Sequence, residues 1–165
     1  MALIPTTILT GFLGAGKTTL LNRILQEPHG FKIAVIENEF GQENIDNEIL
    51  VQDGTEQIVE MNNGCICCTV RGDLIIALTS LAQKRNAGEL QFDHVVIETT
   101  GLANPGPVAQ TFFVDEEVAS EYLVDAIITV VDAKHAMHEL DSYEEAQRQV
   151  GFADKLLFSK TDLVS

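Results

Sequence analysis

Residues 11–18 read Gly-Phe-Leu-Gly-Ala-Gly-Lys-Thr. The spacing is G-x-x-x-x-G-K-[ST], the pattern of a phosphate-binding loop. Its flanks are those the pattern requires: the apolar run 3–9 precedes it as a candidate buried strand, and a helical pattern opens at Lys17. Glycines let the backbone curl so that successive N–H groups point inward at a polyphosphate, and the helix N-terminus adds partial positive charge. Lys17 can reach β- and γ-phosphate oxygens, and the Thr18 hydroxyl can ligate Mg²⁺. Gly11, Gly14, Ala15, Gly16, Lys17, Thr18 and Thr19 are the expected nucleotide-binding residues of this stretch. An open α/β sheet is the fold that such a strand–loop–helix unit belongs to.

Composition agrees with one such domain. The chain has 165 residues, 45% of them hydrophobic, which is enough for a sizeable core. No apolar run approaches the roughly 20 residues of a membrane span. The N-terminus has no basic, apolar and small-residue succession of a secretion signal, so a soluble cytoplasmic protein is expected. Net charge is −15, from 10 Lys and Arg against 25 Asp and Glu. Residues 1–85 hold 6 basic and 10 acidic side chains, whereas residues 86–165 hold 4 and 15. So acidic a chain repels phosphate backbones, and nucleic acid is excluded as a partner. A nucleotide must be held by local dipoles, Lys17 and Mg²⁺. The acidic second half reads as a solvated surface.

Strand-like apolar runs alternate with amphipathic helical stretches, which predicts an α/β fold with a mainly parallel sheet and helices on both faces. Candidate strands are 3–9, 32–37, 57–61, 94–98, 126–131 and 155–158. Candidate helices are 17–26, 73–85 and 136–150, and 106–122 is helical in part after Pro105 and Pro107. Residues 38–56 are polar, acidic and without a sustained period. So long a connection inside a compact domain suggests a functional loop able to close over a nucleotide.

Two further motifs narrow the chemistry. In Val95-Val96-Ile97-Glu98-Thr99-Thr100-Gly101 an apolar strand delivers a carboxylate at its C-terminal end, where ligands of open α/β sheets bind. Glu98 can hold Mg²⁺ directly or through water, and Gly101 lets its N–H approach a γ-phosphate closely. The second motif, Ser159-Lys160-Thr161-Asp162, follows another strand and resembles the [N/S/T]-K-x-D guanine signature. An Asp162 carboxylate accepts from guanine N1–H and the 2-amino group. Adenine would leave that carboxylate unpaired, at a cost of about 3–5 kcal/mol if buried. Ser159 stands where Asn is commonest, and the Lys160 stem can lie along the base.

All three cysteines fall within Asn62-Asn63-Gly64-Cys65-Ile66-Cys67-Cys68. A disulfide scaffold would spread them out. Cys65 and Cys67 project to one side of an extended segment, and Cys68 can complete a thiolate tripod if the backbone turns. Soft sulfur selects Zn²⁺ or Cu⁺ over Mg²⁺. Glu37 and Glu39, at the end of the second strand, are the candidate acids for a fourth ligand. His135 and His138, three apart on a helix, read as surface residues.

With Gly11–Thr18, Glu37-Asn38-Glu39-Phe40-Gly41, Cys65-Ile66-Cys67-Cys68, Glu98–Gly101 and Ser159–Asp162 in that order, the chain resembles the GTPase domain of the CobW family, in its YjiA-like branch. The C-x-C-C element between the other motifs is the most specific sign. The resemblance implies the all-parallel sheet of signal-recognition and nickel-insertion GTPases. It also implies a metallochaperone or metalloprotein activator that couples GTP hydrolysis, with Mg²⁺, to transfer of zinc or a related ion to a client protein. Cys65, Cys67 and Cys68 would hold that ion near the nucleotide. Lys17, Thr18, Glu98 and Gly101 would carry catalysis, with water as the nucleophile. The family pattern further implies that residues 1–165 stop before the domain's last elements and a C-terminal domain. Two other classes fit the P-loop: a kinase of a small metabolite, which should carry a basic lid, and a zinc-sensing interaction module with negligible turnover.

Overall fold

A computed structural model describes residues 2–38, 47–53, 55–61 and 70–165. Among them, seven strands form a single sheet in the order β4-β3-β2-β5-β1-β6-β7. The central strand is β1 (Ile4–Gly11), paired in parallel with β5 (His94–Thr99) on one side and β6 (Tyr122–Asp132) on the other. Strand β2 (Ile33–Asn38) adds in parallel to β5, and β7 (Lys155–Ser159) adds in parallel to β6. All five of these strands therefore point their C-terminal ends to the same edge, where a ligand of such a sheet sits.

Burial on both faces explains why β1, β2 and β5 read as nearly unbroken apolar runs. On one face Ile8, Ile36, Val95 and Ile97 pack with Leu74, Leu78 and Leu81 of α2 (Val70–Asn86) and Val108 and Phe112 of α3 (Pro105–Val114). On the other, Leu9, Val35, Val96 and Val130 pack with Leu20, Leu21, Ile24 and Leu25 of α1 (Lys17–Gln26). The helix expected at 17–26 forms with those bounds, and ends where Pro28 denies it a further N–H. The Asn104 side chain caps α3 by accepting from the Gly106 N–H at 2.9 Å, with Pro105 in the first turn. A short helix, α4 (Glu116–Glu121), leads into β6. No helix among the described residues is long and apolar enough to cross a membrane.

Two expectations need correction. Residues 38–56 are not one structureless connection: 47–53 form β3 (Asn47–Asp53), which pairs antiparallel with β2 and with β4 (Thr55–Met61). The sheet is therefore not all-parallel but carries an antiparallel hairpin at its β2 edge. Ile49-Leu50-Val51 supplies the apolar triplet of β3. Its acidic surroundings hide the signal. The helix expected over 136–150 is two helices, α5 (Ala136–Ser142) and α6 (Glu144–Gly151). Between them Tyr143 is extended, and its ring lies 4.6 Å from that of Phe12 in the phosphate loop. A continuous helix would forfeit that contact.

Candidate nucleotide site

The phosphate loop leaves β1 between two strands. Gly11 has φ 152°, and a Cβ there would lie 2.4 Å from the Val130 carbonyl oxygen, so only glycine fits. Gly14 and Gly16 have φ 74° and 101°. Gly16 caps α1 without a side-chain bond, leaving the first helical N–H groups open to an anion. Lys17 is 8% exposed and folds back over the loop. Its Nζ donates to the Gly11 carbonyl at 2.7 Å and the Phe12 carbonyl at 3.3 Å. Burial pulls this ammonium below its ordinary pKa, and the Glu98 carboxylate opposes the shift.

Across the loop, Glu98 stands one residue before the end of β5, on the α1 face. The Thr18 hydroxyl donates to Glu98 Oε1 at 2.9 Å, while Glu98 Oε2 is buried without a protein partner. A carboxylate oxygen orphaned beside a hydroxyl is the hard-oxygen donor set of a small divalent cation such as Mg²⁺. Three residues on, a Cβ at Gly101 would meet Leu13 N at 2.6 Å, so the glycine seats this segment directly on the phosphate loop.

The last motif docks on the same loop. The Ser159 hydroxyl donates to the Ala15 carbonyl at 2.6 Å, and Lys160 Nζ donates to the Gly14 carbonyl at 2.9 Å. Lys160 alone among the described non-glycine residues has positive φ, 54°. That left-handed backbone costs about 1–2 kcal/mol and is offset by the side-chain bonds. Lys160 Nζ also donates to Asp132 Oδ2 at 2.6 Å, and Asp132 further accepts from His135 Nδ1 at 2.8 Å and the Lys134 N–H at 3.0 Å. Burial alone would raise the Asp132 pKa, but Lys160, His135 and that N–H outweigh it and hold the carboxyl well below the usual range. Asp162 is exposed in a 3₁₀ turn, Thr161–Leu163.

The expected residues Gly11 to Thr19, Glu98, Gly101, Ser159 and Lys160 thus converge at one edge of the sheet. Glu37 is the register partner of Glu98, which brings its backbone to the same edge. Glu39, Cys65, Cys67 and Cys68 lie outside the described residues. Among the described residues no cluster of three His, Cys, Asp or Glu could hold a metal. His135 bonds Asp132, and the His138 ring meets Tyr143 edge-on.

This arrangement has relatives. A match to the family described as CobW/HypB/UreG, nucleotide-binding domain, spans residues 5–165. The chain belongs to that family. It is 52% identical over 160 residues to the zinc chaperone YjiA of Escherichia coli, covering 97% of this chain and 50% of that protein. It is 44% identical over 168 residues to zinc-regulated GTPase metalloprotein activator 1 of Schizosaccharomyces pombe, covering 98% and 40%. The crystal structure of Zn(II)-bound YjiA GTPase superposes with a TM-score of 0.76 at 50% identity, over 99% of this chain and 51% of that one. The chain spans about half the length of the curated relatives it matches. The P-loop α/β fold of the family is therefore the fold of this chain.

Three residues that touch these motifs escape motif reading. Asp132 ends an apolar strand as Glu98 does, and that parallel was a usable signal. Tyr143 and Gln149 carried none, since each looks like an ordinary helical residue in sequence.

Proposed function

We propose that this chain is the GTP-binding and GTP-hydrolysing domain of a zinc metallochaperone or metalloprotein activator acting in the reducing cytoplasm. The observation that carries the reading is the seating of Ser159 and Lys160 on the Ala15 and Gly14 carbonyls, which brings the guanine signature against the phosphate loop. Asp162, two residues on, then reads the guanine edge and leaves adenine with an unpaired carboxylate. Lys17 exchanges its loop carbonyls for β- and γ-phosphate oxygens, and their charge favours the ammonium that burial disfavours. Thr18 and Glu98 would hold Mg²⁺, which would supply positive charge beside the phosphate oxygens. The Gly101 N–H contacts the terminal phosphate, and a water attacks in line. Positioning and charge stabilisation supply the catalysis, as in phosphoryl transfer generally.

Cys65, Cys67 and Cys68, with Glu37 or Glu39, hold the transferred zinc before it passes to a client protein. Support for this part comes from the C-x-C-C stretch and from the zinc named for the relatives. The test is competition of GTP and ATP for a fluorescent guanine nucleotide. GTP is expected to win by at least about tenfold, or roughly 1.4 kcal/mol, and Asp162→Asn to erode the preference. Equal affinity for the two nucleotides would remove the assignment. Cys65, Cys67 and Cys68 replaced together by Ser should lose tight zinc binding and keep nucleotide binding.

A further inference from the structure

Gln149 is a long polar side chain only 1% exposed, on the inner side of α6. Its Nε2 donates to the Gly101 carbonyl at 3.0 Å and to the Ala103 carbonyl at 3.1 Å. Its own main-chain carbonyl accepts from the Thr129 hydroxyl at 2.7 Å, which ties this turn of α6 to β6. At the end of α6, Phe152 abuts the start of α3, where a Cβ on Gly106 would come within 3.0 Å of the ring. Gly101 meanwhile rests against Leu13 of the phosphate loop. Segment 101–103 lies between β5 and α3, outside any strand ladder. It is gripped by the phosphate loop on one side and by a single amide on the other.

The chemistry of that grip is restrictive. Two main-chain carbonyls ask for two N–H donors at one point, in a place where a net charge would be poorly solvated. A glutamine amide supplies both without charge. A glutamate there would set oxygen against oxygen, and a methionine of similar length would leave both carbonyls without these donors.

We propose that Gln149 is a positioning residue of the nucleotide site: its two hydrogen bonds set the Gly101 main chain over the phosphate loop, so that the Gly101 N–H meets a terminal phosphate. The inference rests on the GTP reading above, but the grip itself is made only of this chain's own atoms. A diphosphate offers nothing for the Gly101 N–H to meet, so loss of Gln149 penalises the triphosphate state and spares the diphosphate.

The experiment compares the parent protein with Gln149→Met and Gln149→Glu, and with Gln147→Met on the exposed side of the same helix as a control. In nucleotide-free protein, amide hydrogen exchange of the peptide covering residues 100–106 is expected to quicken at least tenfold in both Gln149 variants and to stay unchanged in the control. GDP affinity should remain within about twofold, while a non-hydrolysable GTP analogue weakens about tenfold or more, which is about 1.4 kcal/mol. Thermal melts identify a variant that has lost its fold, and the milder methionine change then decides. Unchanged exchange at 100–106, or equal weakening of GDP and analogue, overturns the inference. A parent protein that binds no guanine nucleotide overturns the GTP reading instead, and the exchange result then decides the grip by itself.

Discussion

At Gly101 an added Cβ would meet Leu13 main-chain atoms at 2.6 and 2.7 Å, and main chain cannot swing aside as a flexible side chain would. Gly101→Ala should therefore destabilise the fold by about 1–3 kcal/mol in denaturant titration. It should also weaken a GTP analogue more than GDP. An alanine variant with parental stability and parental analogue affinity would refute the close approach. Asp132 makes a prediction in pH. Its folded pKa is depressed, so the unfolded chain takes up the proton first as acid is added. Its contribution is complete above the ordinary carboxyl value of about 3.9 and is lost as pH falls through the lower folded value. Asp132→Asn should cost about 1.5–3 kcal/mol at neutral pH, the worth of charged hydrogen bonds, and the gap to the parent should narrow below about pH 4. A gap that stayed constant between neutral pH and about pH 3 would mean that the Asp132 charge is not what holds Lys160.

Among the elements, the break between α5 and α6 matters most to the site. Asp141 and Ser142 end α5, Tyr143 leaves helical geometry, and its ring packs against Phe12. This contact ties the α5–α6 junction to the phosphate loop. A double-mutant cycle with Phe12→Leu and Tyr143→Leu should return a coupling of about 0.5–1.5 kcal/mol in unfolding free energy. Strict additivity of the two changes would show that the rings do not brace each other. A 3.6-residue period in sequence reports which residues are helix-compatible. It does not report that an aromatic gains more by leaving the helix, which is why 136–150 read as one element. The strand expected at 57–61 forms within β4, whereas β3 carries a weaker signal, since acidic residues flank its short apolar triplet.

For the whole molecule, β2, β5, β1, β6 and β7 all end at the edge that holds the phosphate loop, with Glu37 in register with Glu98. With Glu37 as a ligand of the proposed zinc site, that register would give the proposed zinc and nucleotide sites a short route to each other. The expected outcome is positive coupling: Mg²⁺ with a GTP analogue tightens zinc by a factor corresponding to about 1–3 kcal/mol, and zinc tightens the analogue equally. A zinc titration against a chromophoric chelator, with GDP and then with the analogue, measures it. Identical zinc affinities would sink the coupling even with zinc binding intact.

The contiguous motifs were decided by sequence alone. A phosphate loop, an acid three residues before a glycine, and Ser-Lys-Thr-Asp after a strand are each defined within a few residues, because local backbone geometry dictates their residue types. The strand and helix runs around them were legible because burial on both faces of a parallel sheet leaves an apolar imprint. Only the tertiary structure decided how these pieces hold one another. Lys160 finds Asp132 across 28 residues, and Gln149 finds Gly101 across 48. Such pairs leave no local spacing to read, since their partners are chosen by sheet order and helix packing. Desolvation at the folded edge then makes each unpaired donor or acceptor costly, and that cost selects the pairs.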